Sequence, residues 1–358
     1  TGCEQLETIE IPEGVREIGE GAFLWCKALS KVTLPNSLET IEASAFSRCG
    51  IGSLYLSENV TTIGANAFLM CPSLFQVYIP DTVTKIEENT FYECKRLSRI
   101  LLSKNITEIG KNAFYGCTAL VNISLPEGVE TIGEGAFQGC TAMADITIPA
   151  GVTAIGPKAF YKCSKLSEAT LGENLNSIGS QAFASCGSLN SIIIKSKNLE
   201  QIQDCGIVPA NVRKVSVRCD SVEVLNETVL SWWDMAKVSL EGAGSVRMEA
   251  PFRLGNLVKI ERAAGDYYVD GTGALYLQGE NGASLAYIPE GLGEYTVPGY
   301  ISAPDGGQGW AVVSVEKDAL AAADGLYSLL FENPSGILSL PDYACGNCPS
   351  LVSVNGEN

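Results

Sequence analysis

The chain has 358 residues, 46% of them hydrophobic, a net charge of −17, a pI near 4.5 and no histidine. That charge argues against nucleic acid or anionic lipid as partners, because both need clustered Lys and Arg, and no apolar run approaches the roughly 20 residues that span a bilayer. The missing histidine removes Ser-His-Asp and Cys-His catalysis, His-based zinc sites and the side chain that titrates near neutral pH.

The chain opens on T-G-C-E-Q-L, the tail of a repeating unit, so it is expected to begin in mid-pattern with any signal or anchor outside it. Ala-Phe pairs then recur at Phe23, Phe46, Phe68, Phe114, Phe137, Phe160 and Phe183, with Thr90-Phe91 in the gap, at a step of 23 residues and once 22. A cysteine follows each phenylalanine by three residues, from Cys26 to Cys186, with Cys3 ahead of them. A fixed period of this size signals a solenoid whose units cannot bury their apolar faces alone. Within the unit after Cys117, Ile123-Ser124-Leu125 alternates as a short strand does, and Pro126 ends it. Val129 to Ile132 reads as a second short strand, and Glu134 to Gln138 as one helical or 3₁₀ turn that plugs Phe137 into the core.

The inward column of the first strand runs Ile9, Val32, Leu54, Val77, Ile100, Ile123, Ile146, Ala169 and Ile192. The same step continues it to Val215, Val238 and Ile260, with Ile194, Val217 and Leu240 as a partner column and Phe252 as the counterpart of Phe46. Residues 196 to 263 are therefore expected to keep coiling after losing the Ala-Phe and Cys letters. From Gly265 the text changes: D-Y-Y-V-D-G-T-G-A-L-Y-L predicts a hairpin, and S-L-A-Y-I-P-E-G-L-G-E-Y-T-V-P a further pair of strands. A glycine-rich loop over 302–309 follows. The repeat then returns, with Val312 and Val315 as a second strand, Ala319-Leu320 standing for Ala-Phe, and Leu326, Leu329 and Phe331 in the next strand. The expected division is 1–195 regular repeats, 196–263 degenerate repeats, 264–309 insert and loop, and 310–358 C-terminal repeats.

These residues closely resemble the BspA-like, treponemal-type leucine-rich repeats, whose pattern is L-xx-I-x-L-P-xx-V-xx-I-G-xx-A-F-xx-C. The match runs over 1–195 and returns over 310–358. The resemblance implies a curved, right-handed leucine-rich-repeat solenoid, β-rich with short helical turns and a parallel sheet on one face, interrupted here by a β-hairpin insert. It further implies display by bacteria or protists, often as an adhesin or a binder of host proteins.

Thirteen cysteines would suggest disulfides in a secreted chain. Nine of them, however, stack in one column, where side chains point in parallel, which holds Cβ atoms near the strand spacing and beyond the usual disulfide approach. The reading is a column of free, buried thiols filling a fixed gap. Cys345-Gly-Asn-Cys348 looks like a redox or half-zinc motif, but in register Cys348 is the column cysteine and Cys345 takes the phenylalanine slot. Asp266 to Gly273 lacks the alternating acids of a calcium loop and reads as a turn. No metal or cofactor is expected.

Between the inward strand residues lies an outward column, Glu10, Thr33, Tyr55, Tyr78, Leu101, Ser124, Thr147, Thr170 and Ile193. Tyr55, Tyr78 and Leu101 thus fall on adjacent coils, with Gln76 and Arg99 in the neighbouring column; Tyr and Arg are favoured in protein-binding hot spots, although stacked aromatics also stabilise neighbouring strands. Tyr92, Tyr115 and Tyr161 follow core phenylalanines. Of Trp232-Trp233, the first takes a ladder position, and an exposed Trp233 near Trp310 would suit sugar stacking. The expectation is a non-catalytic, secreted or cell-surface bacterial protein, adhesin-like, that binds a protein or glycan of a host or neighbouring cell through the open sheet, with Tyr55, Tyr78, Leu101, Gln76 and Arg99 as contacts. The alternatives are a spacer with no ligand of its own, and a carbohydrate-active protein using two carboxylates, against which the acids sit on turns, as at Glu13, Glu127 and Glu134.

Overall fold

The computed structural model describes residues 2–233, 236–250, 252–254, 258–260, 265–302, 309–337, 339–341 and 348–356. They form two units, Thr1–Asn190 with Glu200–Asn211, and Ser191–Leu199 with Val212–Asn358. Both contain parallel ladders, and the five residues Glu227–Ser231 make the one α-helix among the described residues.

In the first unit most coils contribute to two ladders. Strands such as Ser53–Tyr55, Gln76–Tyr78 and Arg99–Leu101 pair in parallel with Leu54, Val77 and Ile100 in register. A second ladder joins two-residue strands from Lys85–Ile86 through Glu108–Ile109, Thr131–Ile132, Ala154–Ile155 and Ser177–Ile178 to Gln201–Ile202. The isoleucine of each points inward, and Ile86, Ile109, Ile132, Ile155 and Ile178 are all buried. Two strand expectations shrink. Ile123-Ser124-Leu125 keeps its in-out-in burial but forms no strand, and the second strand covers only Thr131–Ile132.

The expected helical turn at Glu134 to Gln138 is not helical, and its hydrogen bonds say why. Gly135 and Gly139 are left-handed, with φ of 61° and 76°. The N–H groups of Ala136 and Gln138 bond back to the Gly133 and Gly135 carbonyls, whereas those of Gly135, Phe137 and Gly139 cross to Pro157, Ala159 and Tyr161 of the next coil. A helix would send every N–H into its own coil; here alternate ones tie two coils together. The device recurs as Gly21/Trp25, Ser44/Arg48, Asn66/Met70, Asn89/Glu93, Asn112/Gly116, Lys158/Lys162 and Gln181/Ser185, all with positive φ. Gly and Asn favour the first position because they tolerate that region at least cost.

Inside each corner sits a phenylalanine. Successive rings from Phe23 to Phe183 stack with centroids 5.1 to 5.7 Å apart and planes within 13°. Phe46 to Phe160 are wholly buried. Thr90, where the other corners have alanine, is buried with its hydroxyl donating to the Glu87 carbonyl at 2.8 Å, so the extra polar atom is satisfied. The column cysteines also bond. Cys71 donates its thiol to the Phe46 carbonyl at 3.2 Å, and Cys94, Cys117, Cys140, Cys163 and Cys186 repeat the contact with the phenylalanine of the preceding coil. That carbonyl already accepts the N–H of its own coil's cysteine, as Phe46 does from Cys49 at 3.2 Å. Outside, Arg16–Glu39, Lys85–Glu108 and Lys111–Glu134 pair one period apart at 3.2, 2.9 and 2.9 Å; such exposed pairs each add little.

In the second unit Ser191–Ile194, Lys214–Arg218 and Lys237–Glu241 pair in parallel, aligning Ile192, Val215 and Val238, and Ile194, Val217 and Leu240. Val224–Leu225 pairs with Gly244–Met248 at the same step. There the count fails. Ile260 does not extend the column: it lies opposite Phe252 in an antiparallel hairpin. Phe252 does not join the phenylalanine stack either, but meets Trp233 and Tyr267 edge-on at 5.6 and 5.4 Å. Trp233 is fully buried beside Trp232, which rules it out for sugar stacking. Gly265–Val269, Leu275–Gly279 and Gly282–Tyr287 then run as an antiparallel meander, as the D-G-T-G turn predicts. The two later strands go to separate parallel ladders: Gly282–Tyr287 pairs with Trp310–Val315, and Glu294–Val297 pairs with Ser328–Phe331, which pairs on its other side with Ser353–Gly356. Cys348 donates to the Leu320 carbonyl at 3.1 Å, so Leu320 stands where other coils carry phenylalanine. Cys345 and most of the glycine-rich loop lie outside the described residues.

Replacing Phe137 with Ala should cost about 3–5 kcal/mol through the cavity it leaves, measured by urea unfolding. A loss below about 1 kcal/mol would show that the ring is not core.

Candidate binding surface

The ladder of Ser53–Tyr55, Gln76–Tyr78 and Arg99–Leu101 makes Tyr55, Tyr78 and Leu101 successive partners, and Gln76 and Arg99 a second row. Strands lie about 4.8 Å apart, so the three residues of the first row span about 10 Å. Tyr55 and Leu101 are 63% and 61% exposed, while Tyr78 is half-buried. Its hydroxyl donates to Glu58 at 3.0 Å, and that carboxylate raises the Tyr78 pKa. Arg99 is exposed, Gln76 half-buried. Beyond the strand end Asp81 pairs with Lys104 at 2.8 Å, and the lysine holds the carboxyl below its usual range.

Sequence reasoning missed Phe75, which is 43% exposed. It immediately precedes its strand, but its N–H bonds to the Gly52 carbonyl and its own carbonyl accepts from Ser98 and Arg99, so it belongs to the same ladder. The signal is an aromatic at a position that the neighbouring coils fill with Gly52 and Ser98. Other aromatics form separate features. Tyr92 and Tyr115 stack at 4.5 Å and are half-buried, and Lys162 lies 5.2 Å over Tyr161. Trp25, 40% exposed, carries Arg48 at 4.3 Å over its ring.

Several groups that could carry chemistry help to hold the fold. Asp270 accepts the N–H groups of Thr272 and Ala274 at 2.8 and 3.1 Å, and the Tyr295 hydroxyl at 2.5 Å, which is in turn bonded to Tyr276. Burial pushes both tyrosines upward. Of the turn acids, Glu134 pairs with Lys111 and Glu13 accepts the Asn36 N–H at 3.0 Å. Burial also pushes the Cys49, Cys140 and Cys186 thiols up to about 12, and Cys71, Cys117 and Cys163 well up too. A thiol held protonated at neutral pH is a poor nucleophile and a poor metal ligand. Among the described residues no three His, Cys, Asp or Glu are grouped to hold a metal, and no helix is long and apolar enough to cross a membrane.

Parallel coils, an inward leucine and isoleucine at fixed step, and an Ala-Phe corner closed by cysteine define a leucine-rich-repeat solenoid. The model of the BspA type leucine rich repeat region matches residues 1–120 and 84–207 with six copies, more than half of the 358 residues, and the chain belongs to that family. A leucine-rich repeat protein from Bacteroides ovatus is similar in fold, with 24% identity over 67% of this chain and 76% of its own and a TM-score of 0.50. A leucine rich cell surface protein from Faecalibacterium prausnitzii is 30% identical over 54% of this chain, TM-score 0.40. The pneumococcal vaccine antigen PcpA is 26% identical over 66% of this chain and 67% of its own, TM-score 0.42. The chain spans 60% of the length of the Faecalibacterium protein. No curated protein matches.

The raised thiols predict an alkaline weakness. In the unfolded chain Cys49, Cys140 and Cys186 ionise near 9.0, whereas burial in the fold pushes them up to about 12. Above about pH 9 the unfolded state therefore binds fewer protons and gains ground. The urea midpoint should fall steadily from pH 8.5 to 11, and Cys140→Ala should flatten that slope. A slope unchanged by the substitution would contradict the assignment.

Proposed function

We propose that the protein is a non-catalytic, cell-surface or secreted bacterial binding protein that recognises a macromolecule of a host or neighbouring cell through its exposed sheet. The observation that carries this reading is the run of Tyr55, Tyr78 and Leu101 on three adjacent strands, flanked by Phe75 and Arg99. Two of those side chains are more than half exposed in water although one is aromatic and the other aliphatic, a cost that a partner would relieve on binding. Arg99 makes no ion pair among the described residues and is available to an acceptor on that partner. Membership of the repeat family supports the same reading. The occupied state of the buried thiols and of Asp270 supports a non-catalytic role.

The wild-type protein and a Tyr55→Ser/Leu101→Ser variant should be compared on arrays of matrix proteins and glycans. Spots bound by the wild type should weaken by at least about tenfold in the variant, the size expected of hot-spot truncation, with the thermal melt unchanged. Equal binding by both would show that the patch is structural.

A further inference from the structure

In the second unit the parallel sheet stops at Lys237–Glu241, and the way it stops leaves main-chain groups open. The register with Lys214–Arg218 fixes which groups are used. The Lys237 N–H bonds to the Arg213 carbonyl, and the Glu241 carbonyl accepts the Cys219 N–H. In a parallel ladder alternate residues face one neighbour, so Lys237, Ser239 and Glu241 face the inner strand. Val238 and Leu240 direct their N–H and C=O groups outward, and this strand ends its sheet. No other main-chain bond is made by either among the described residues.

That edge lines a cavity of about 680 Å³ together with Tyr287, Pro289 and Leu292. The volume lies within the roughly 300–1,000 Å³ of ordinary ligand sites. At the Leu240 end the turn at Thr272–Gly273 closes over the strand: a Cβ on Gly273 would stand 2.9 Å from the Leu240 carbonyl oxygen. The opening is therefore at the Val238 end, beside Arg213 and Lys237. These two cations differ. Lys237 is already paired with Glu290, while Arg213, exposed at the rim, has no acidic partner among the described residues. In a chain of net charge −17 an unpaired guanidinium at a cavity mouth gives that mouth a local sign opposite to the whole. Long-range repulsion of an acid is screened within about 8 Å at physiological salt, so the seated carboxylate is governed by Arg213.

We infer that this cavity takes an extended acidic peptide, which adds as a strand to the Val238–Leu240 edge and places a carboxylate on Arg213. Main-chain bonds to Val238 and to the Leu240 N–H give the pairing, and the apolar wall receives one side chain of the peptide. Partners that recognise only the Tyr55 surface are unaffected, so the two sites stand or fall separately.

The test is selection of a randomised hexapeptide library on the intact protein, on Arg213→Glu and on Val238→Pro. Proline removes the outward N–H and is tolerated at a sheet edge, and a melt checks that the variant folds. The expected result is enrichment of peptides carrying Asp or Glu, a switch of that preference to Lys or Arg in Arg213→Glu, and loss of at least tenfold in affinity in Val238→Pro. Should Val238→Pro not fold, the selected peptide is N-methylated at each amide in turn. Only every second methylation should abolish binding, because alternate amides face the edge. No enrichment over a control protein, an acid preference that survives Arg213→Glu, or indifference to N-methylation overturns the assignment.

Discussion

The first unit depends on how each Ala-Phe corner divides its N–H groups. Half close tight turns within the coil and half cross to the next coil, which is possible only because residues two before the phenylalanine and two after it are left-handed. A continuous helix would satisfy its backbone internally and leave neighbouring coils joined by side chains alone. The alternating corner instead adds a third line of main-chain bonds to the two strand ladders. It also sets the coil spacing, and the phenylalanine rings stack at that spacing, 5.1 to 5.7 Å. The cysteine completes the arrangement, because its thiol takes the second lone pair of a phenylalanine carbonyl that water cannot reach.

With corners and interior so constrained, most outward strand positions are free to differ from coil to coil. Thr33 and Thr147 occupy the column that Tyr55, Tyr78 and Leu101 fill between them. Ion pairs one period apart hold the remaining surface in register at small individual gain. The antiparallel insert in the second unit breaks this regularity, and the sheet edge at Lys237–Glu241 is a direct consequence of that break.

The period was legible because phenylalanine and cysteine recur as letters, and Val215, Val238, Val217 and Leu240 kept the register without them. Ile260 misled because a count of 22 or 23 cannot sense that a hairpin has begun; an inward isoleucine suits an antiparallel pair as well as a parallel one. The corner was misread as a helical turn because its left-handed residues include Trp25, Arg48 and Lys162, which carry no turn signature. Adjacency to Trp232 says nothing of what covers Trp233, which packs edge-on against Phe252, itself edge-on to Tyr267. The surface row was read directly, since period-two alternation names outward residues, whereas Phe75 lies just outside the strand where that alternation applies.

The crossing hydrogen bonds at the corner can be observed one by one through the scalar couplings they transmit in a long-range HNCO experiment on the deuterated, isotope-labelled protein. The amide nitrogen of Phe137 should couple to the carbonyl carbon of Ala159 in the next coil. A coupling to Gly133, four residues back in the same coil as in a helix, would contradict the account.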